Sequence, residues 1–229
     1  MLVAQHLDVA YGESHVTRNV SFEVAPGETL AVMGRNGMGK TTLFKALIGM
    51  LPLRGGSVRI GDTYLSGLRS HERVRAGLCY VPQGRMVFSQ LTVEENIVAG
   101  MAQDSRGAVP EWILDVFPVL RDMRARKAGN LSDGQQQQLA IARALAADPK
   151  VLLLGEPTEG LQPSIVKDIA RTLARLKAER GFAMLVAEQA LGFALEIADR
   201  LLIFERGEFV YETRRGAVDA TRIQAFLTI

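Results

Sequence analysis

The chain has 229 residues, 48% of them hydrophobic, with 27 basic and 25 acidic side chains and a formal charge of +2. That length supports one large α/β domain with a sizeable core and argues against two independent domains; so balanced a charge gives no field that selects a nucleic-acid partner. Apolar runs such as Phe182–Ala187 fall far short of the roughly 20 residues that cross a bilayer, and the opening MLVAQHLD has neither a basic start nor a long apolar stretch, so a cytosolic chain is expected.

In chain order, short β-type runs over Leu2–Val9, Val20–Val24 and Thr29–Met33 predict a first antiparallel layer. After a glycine-rich turn, Leu43, Leu47 and Ile48 at helical spacing predict a helix over Thr41–Met50, which PLRGGS ends before a strand at Ser57–Ile60. Leu78–Val81 predicts another strand, in which Cys79 reads as a buried wall residue rather than a reactive thiol. As the only cysteine it excludes internal disulfides and cysteine-rich zinc sites. From about Gly84 to Asp148, helical patterns and the basic run RDMRARK predict an inserted helical subdomain. Val151–Leu154 and Phe182–Ala187 read as buried parallel strands, with a helix starting at Pro163 between them. The expectation is a single α/β domain over residues 1–229: a mainly parallel sheet, an antiparallel β layer and a helical subdomain at about 84–148.

The strongest local signal is Gly34-Arg35-Asn36-Gly37-Met38-Gly39-Lys40-Thr41, which matches G-x-x-x-x-G-K-[ST] directly after an apolar strand and before a helix. Glycines let backbone N–H groups converge on a phosphate and the helix start adds a favourable dipole; Lys40 reaches the outer phosphate oxygens, and the Thr41 hydroxyl can ligate Mg²⁺. Such a P-loop, with Thr42 beside it, predicts nucleotide binding and leaves kinase, GTPase and ATPase open. No N-K-x-D motif occurs, which argues against a GTPase. Glu156, a carboxylate just beyond buried aliphatics, belongs at the exposed carboxyl edge of the sheet, where it could orient an attacking water.

Leu131-Ser132-Asp133-Gly134-Gln135 opens the helical run QQQQLAIARALA and resembles the L-S-G-G-Q signature of ABC ATPases. The resemblance extends over essentially the whole chain, with ATP and Mg²⁺ as the implied cofactors. It implies that Tyr11 stacks on adenine and that Gln83 in YVPQGR is the Q-loop glutamine sensing Mg²⁺ and the permease. Val151–Glu156 becomes the Walker B strand with its catalytic glutamate, Gly160-Leu161-Gln162 the D-loop, and Gln189 the switch position that usually holds His. It further implies a head-to-tail dimer, each ATP lying between one subunit's P-loop and Ser132, Gly134 and Gln135 of the other. PQGRMVFSQLTVEENI and the Glu188-Gln189 pair are similar to the branched-chain amino acid and amide uptake group, and QQQQLAIARAL with EPTEGLQPSIVKDI is most similar to urea or short-chain amide importers. The partners implied are transmembrane permease subunits, a second ABC ATPase in a homo- or heterodimer and, indirectly, an extracytoplasmic solute-binding protein. The place implied is the cytoplasmic face of the inner membrane.

Three positions depart from the family pattern. Gly155 stands where an Asp normally holds the water shell of Mg²⁺, so binding should survive while hydrolysis suffers. Asp133 replaces a signature glycine; its side chain is expected to point away from the partner's γ-phosphate. Gln189 replaces His, and His6, His15 and His71 all lie too early in the chain to substitute. An importer ATPase is the first expectation, and an ATP-binding, poorly hydrolysing partner in a heterodimer, favoured by Gly155, is the second. A DNA-repair or translation ABC ATPase fits less well, because neither a coiled-coil insertion nor tandem ATPase domains are visible.

Overall fold

The computed structural model describes residues 1–102 and 107–228. Strands β1 (Leu2–Tyr11) and β2 (Ser14–Val24) form a hairpin, and β4 (Gly55–Ile60) with the short β5 (Thr63–Tyr64) completes an antiparallel sheet in the order β2-β1-β4-β5. Along β2, buried Val20, Phe22 and Val24 alternate with exposed Ser21 and Glu23, the period of two that turns one face to the core. A second sheet contains β3 (Thr29–Met33), β6 (Leu78–Val81), β7 (Val151–Gly155), β8 (Ala183–Glu188), β9 (Arg200–Glu205) and β10 (Glu208–Arg214) in the order β10-β9-β3-β8-β7-β6. Every neighbouring pair in it is parallel except β10 with β9.

Thr29–Met33, expected in the antiparallel layer, instead lies in the middle of this parallel sheet. All five of its residues are buried, which a strand covered on both faces requires and a strand with one wet face does not. The successive residues of β7 divide between two cores. Val151 and Leu153 face Leu30, Leu43, Phe44 and Leu47 between the two sheets, whereas Leu152 and Leu154 face Ile141, Leu173 and Ile97 on the other side. Each such leucine contributes about 1.5–3 kcal/mol relative to exposure, so β7 is held from both faces.

Helix α1 (Lys40–Leu47) follows β3 and stops two residues before Gly49, whose left-handed backbone (φ 81°) turns the chain where a helix to Met50 had been expected. The short α2 (Ser70–Arg75) precedes β6. Between β6 and β7 come α3 (Val93–Gly100), α4 (Glu111–Val116), α5 (Pro118–Asp122) and α6 (Asp133–Leu145). Residues 84–92 are irregular rather than helical, and residues 103–106 of the expected helical stretch lie outside the described residues. Two arginines of the RDMRARK run are paired: Arg121 with Glu111 at 3.0 Å and Asp115 at 2.7 Å, and Arg124 with Glu94 at 2.6 Å. α7 (Pro163–Arg180), α8 (Leu191–Ile197) and α9 (Ala220–Leu227) complete the chain. Pro163 occupies the first helical turn, and Gly181 ends α7 in a left-handed cap (φ 72°).

Candidate nucleotide site

Strands β3, β6, β7 and β8 run parallel, so their carboxyl ends meet along one edge, the place where α/β sheets carry ligands. There Gly34–Gly39 connects β3 to α1. A side chain at Gly34 would stand 2.4 Å from the Phe204 carbonyl, so only glycine lets the loop pass so close to β9. Gly39 caps α1 at φ 103° with no side-chain cap, leaving the first N–H groups of the helix free for an anion. They face a cleft of about 260 Å³ lined by Val16, Arg35, Gly37, residues 39–42 and Glu156. Asn36 and Met38 lie in the turn between, where the Met38 N–H reaches the Arg35 carbonyl at 3.4 Å.

Lys40 is 3% exposed. Its ammonium donates to the Gly34 and Arg35 carbonyls and lies 3.2 Å from Glu156 Oε1. Glu156 leaves β7 in the left-handed region (φ 46°) with its N–H on the Ala187 carbonyl at 2.9 Å; a non-glycine residue held there stores of order 1–3 kcal/mol, a hallmark of functional positions. The Gln83 amide donates to Glu156 Oε2 at 3.2 Å, and the Thr41 hydroxyl donates to Gln83 Oε1 at 3.3 Å. Lys40, Glu156, Gln83 and Thr41, from three separate parts of the sequence, thus form one polar chain at the cleft. It combines a cation for phosphate, oxygen donors suited to a hard divalent ion, and a carboxylate for a water.

Not every predicted residue joins them. Tyr11 ends β1 half exposed and does not line the cleft. Ser132, Asp133 and Gly134 line a different cleft, of about 360 Å³, with Gly160, Leu161, Gln162 and Ile165. Ser132 and Gln135 form a capping box at the start of α6: Ser132 Oγ accepts from the Gln135 N–H at 3.4 Å, and Gln135 Oε1 accepts from the Ser132 N–H at 2.9 Å. Asp133 is turned onto Arg85 at 2.9 Å, and the same guanidinium donates to the Glu159 carbonyl at 3.1 Å. Gln189 follows β8, its N–H donating to Glu188 Oε1 at 2.8 Å.

Two contributors escaped the sequence reading. Glu188, 3% exposed, also accepts from the Thr158 hydroxyl at 2.8 Å and the Ala190 N–H at 3.0 Å, clamping the segment after β7 to the segment after β8. Its signal was the one that singled out Glu156, a carboxylate ending a buried strand. Arg85 carried no signal, since nothing local tells a loop arginine which distant carboxylate it will meet. Burial pushes the Cys79 thiol up to about 12, so it stays protonated and inert.

Such a loop, helix start and carboxylate on a parallel sheet define a P-loop nucleotide-binding domain. Residues 17–159 match the ABC transporter family, and the chain belongs to it as an ATP-binding subunit of the ATPase kind. The high-affinity branched-chain amino acid transport ATP-binding protein BraG of Pseudomonas aeruginosa is 39% identical over 95% of this chain and 94% of its own. The probable branched-chain amino acid transport protein LivF of Archaeoglobus fulgidus is 35% identical over 92% and 91%. The lipopolysaccharide export protein LptB of Escherichia coli is 33% identical over 91% and 88%. Among solved structures, an ATP-binding cassette of an ABC transporter in its ADP conformation superposes with a TM-score of 0.84 at 25% identity, covering 98% of both chains. These likenesses bear out the resemblance first read from the LSDGQ run and its companions.

Proposed function

We propose that the chain is the ATP-hydrolysing subunit of an importer for branched-chain amino acids or a similar small polar solute. It works on the cytoplasmic face of the membrane, on transmembrane permease subunits supplied by an extracytoplasmic solute-binding protein. The polar chain Lys40–Glu156–Gln83–Thr41 carries the ATPase reading. Phosphates entering over the first turn of α1 compete for the Lys40 ammonium, leaving the Glu156 carboxylate to orient and deprotonate a water. Thr41 Oγ1 and Gln83 Oε1, 3.3 Å apart, fit two neutral positions on Mg²⁺, the rest coming from phosphate and water oxygens. When bound, Mg²⁺ would neutralise charge developing on the transferred phosphoryl group. Tyr11, half exposed at the end of β1, offers its ring to the adenine, and Gln189 an amide donor to the γ-phosphate.

The separate cleft at Ser132 and Gly134 supports a paired arrangement. Its lining shares no residue with the cleft at the chain's own phosphate loop, so these residues serve a second ATPase subunit. Among the described residues no helix is long and apolar enough to cross a membrane, and the segment after Gln83 exposes Met86, Phe88 and Leu91, an apolar surface suited to a permease. Branched-chain amino acids in the names of BraG and LivF favour that cargo over the urea or amide suggested by EPTEGLQPSIVKDI. The likeness to an export ATPase fits a motor that does not itself touch cargo.

Gly155 favours a second reading, in which the chain binds ATP but turns over slowly beside a more active ATPase. Cysteine crosslinking in source-cell membranes tests the transport reading. Cysteines placed along residues 84–93 should capture a multi-spanning membrane protein; capture of soluble proteins alone would refute it.

A further inference from the structure

Glu188 is bonded to three of the loops that meet at the nucleotide site. Its carbonyl accepts from the N–H of Gly34, the first residue of the phosphate loop, at 3.3 Å. Its Oε2 accepts from the hydroxyl of Thr158, two residues beyond Glu156, and its Oε1 from the N–H groups of Gln189 and Ala190. Three donors converging on a side chain only 3% exposed suit a carboxylate, which accepts and does not donate. Glu188 does not line the cleft at the phosphate loop, whereas Glu156 does, so it can act on a bound nucleotide only through other residues. Glu156 keeps a left-handed backbone (φ 46°), a conformation that persists where the surroundings over-determine it. One tie is its own N–H on the Ala187 carbonyl of β8; Thr158 on Glu188 is a second tie from the same turn to the same strand.

Resting on the ATPase reading above, we propose that Glu188 is a positioning residue for hydrolysis: holding Thr158 with one oxygen and the Gln189 and Ala190 N–H groups with the other, it fixes the Glu156 carboxylate and the Gln189 amide at one spacing around the γ-phosphate. The two groups leave different strands, and the pairing of β7 with β8 ends at Gly155 and Ala187. The Glu188 side chain carries that register on into the loops beyond. Misplacing a reacting group by about 1 Å costs on the order of 100-fold in rate, so loss of the clamp falls on the hydrolytic step. ATP affinity rests instead on Lys40 and the first turn of α1, which the Glu188 side chain does not bond. The bond to Gly34 is made by the main chain, and substitution at Glu188 leaves its donor and acceptor in place.

The test sets single-turnover hydrolysis, with the chain in excess over radiolabelled ATP and Mg²⁺ present, beside the affinity for ATP in EDTA. Thr158→Val, close to threonine in shape but without the hydroxyl, should lower the rate at least about fivefold, short of the roughly 100-fold of full misplacement. Its ATP affinity should stay within about twofold of the wild type. Glu188→Leu should be at least as slow, and joining it to Thr158→Val should cost less than about twofold more, since both cut one tie. Thr158→Ser and Glu188→Gln should keep most of the wild-type rate: the glutamine oxygen accepts from the two N–H groups while its NH₂ donates to the Thr158 oxygen. The threonine pair decides alone if Glu188→Leu does not fold. An unchanged rate in Thr158→Val, a Glu188→Gln chain slower than Thr158→Val, or an ATP affinity that falls in step with the rate would overturn the proposal. A wild type that binds ATP and never hydrolyses it would instead remove the ATPase reading.

Discussion

Lys40 and Glu156 are each other's charge partner in a site where they are only 3% and 10% exposed. Lys40→Ala therefore removes the phosphate cation and also leaves a nearly buried carboxylate uncompensated. ATP affinity should fall at least about tenfold, a loss of one charge-assisted contact of about 1.5–3 kcal/mol, read by nucleotide titration; unchanged affinity would show that phosphate does not sit over α1. Gly155→Asp should raise kcat at least about tenfold if an outer-shell carboxylate is what hydrolysis lacks. The new Cβ meets the Gln83 nitrogen at 3.0 Å, so the gain requires that loop to yield by a few tenths of an ångström. Equal rates at saturating Mg²⁺ and ATP would show that Gly155 is no defect. The ion pair of Asp133 with Arg85 answers the concern raised by an acidic residue in the signature, because its charge is matched within the same subunit. Asp133 is exposed, so Arg85→Ala should cost less than about 1 kcal/mol of stability in urea denaturation, while weakening ATP-dependent association by freeing that charge.

At the level of elements, α1 is held at both ends by groups outside it. Its start is the phosphate loop; its end is Arg73 of α2, which is 3% exposed and donates to the Ala46 and Leu47 carbonyls at 2.9 and 2.6 Å, and to those of Ser66 and Leu68 at 3.1 and 3.0 Å. Arg73→Met should cost at least about 2 kcal/mol, since it strands several buried carbonyls; a smaller loss in urea unfolding would mean that water replaces the guanidinium. The phosphate loop and the strands flanking it were legible because their signals are contiguous: a motif read from eight successive residues and short runs of buried aliphatics. The hairpin of β9 and β10, β5 and α9 were missed, as were Arg73 as a helix cap and Arg85 as the partner of Asp133. β5 and β10 turn back on the strands just before them, at Ile60–Thr63 and Glu205–Glu208, so those hairpins carried a local signal at Gly61 and Gly207 that went unused, whereas the two arginines meet distant chain. β3 was misplaced for a related reason, since a five-residue apolar run does not state whether its second face will be covered by helices or water.

For the whole molecule, the decisive feature is that the phosphate loop and the Ser132 signature line different clefts of one chain. On the proposed pairing such a subunit completes neither site alone, and ATP should favour the paired state by binding it more tightly than the single chain. Sedimentation velocity of the Glu156→Gln chain measures this most directly, because slowed hydrolysis leaves ATP in place. With Mg²⁺ and saturating ATP the mass should double, and adding Ser132→Arg should return it to that of a single chain while ATP still binds. A Glu156→Gln chain that binds ATP and yet sediments as a single chain at every concentration would contradict a site shared between two copies.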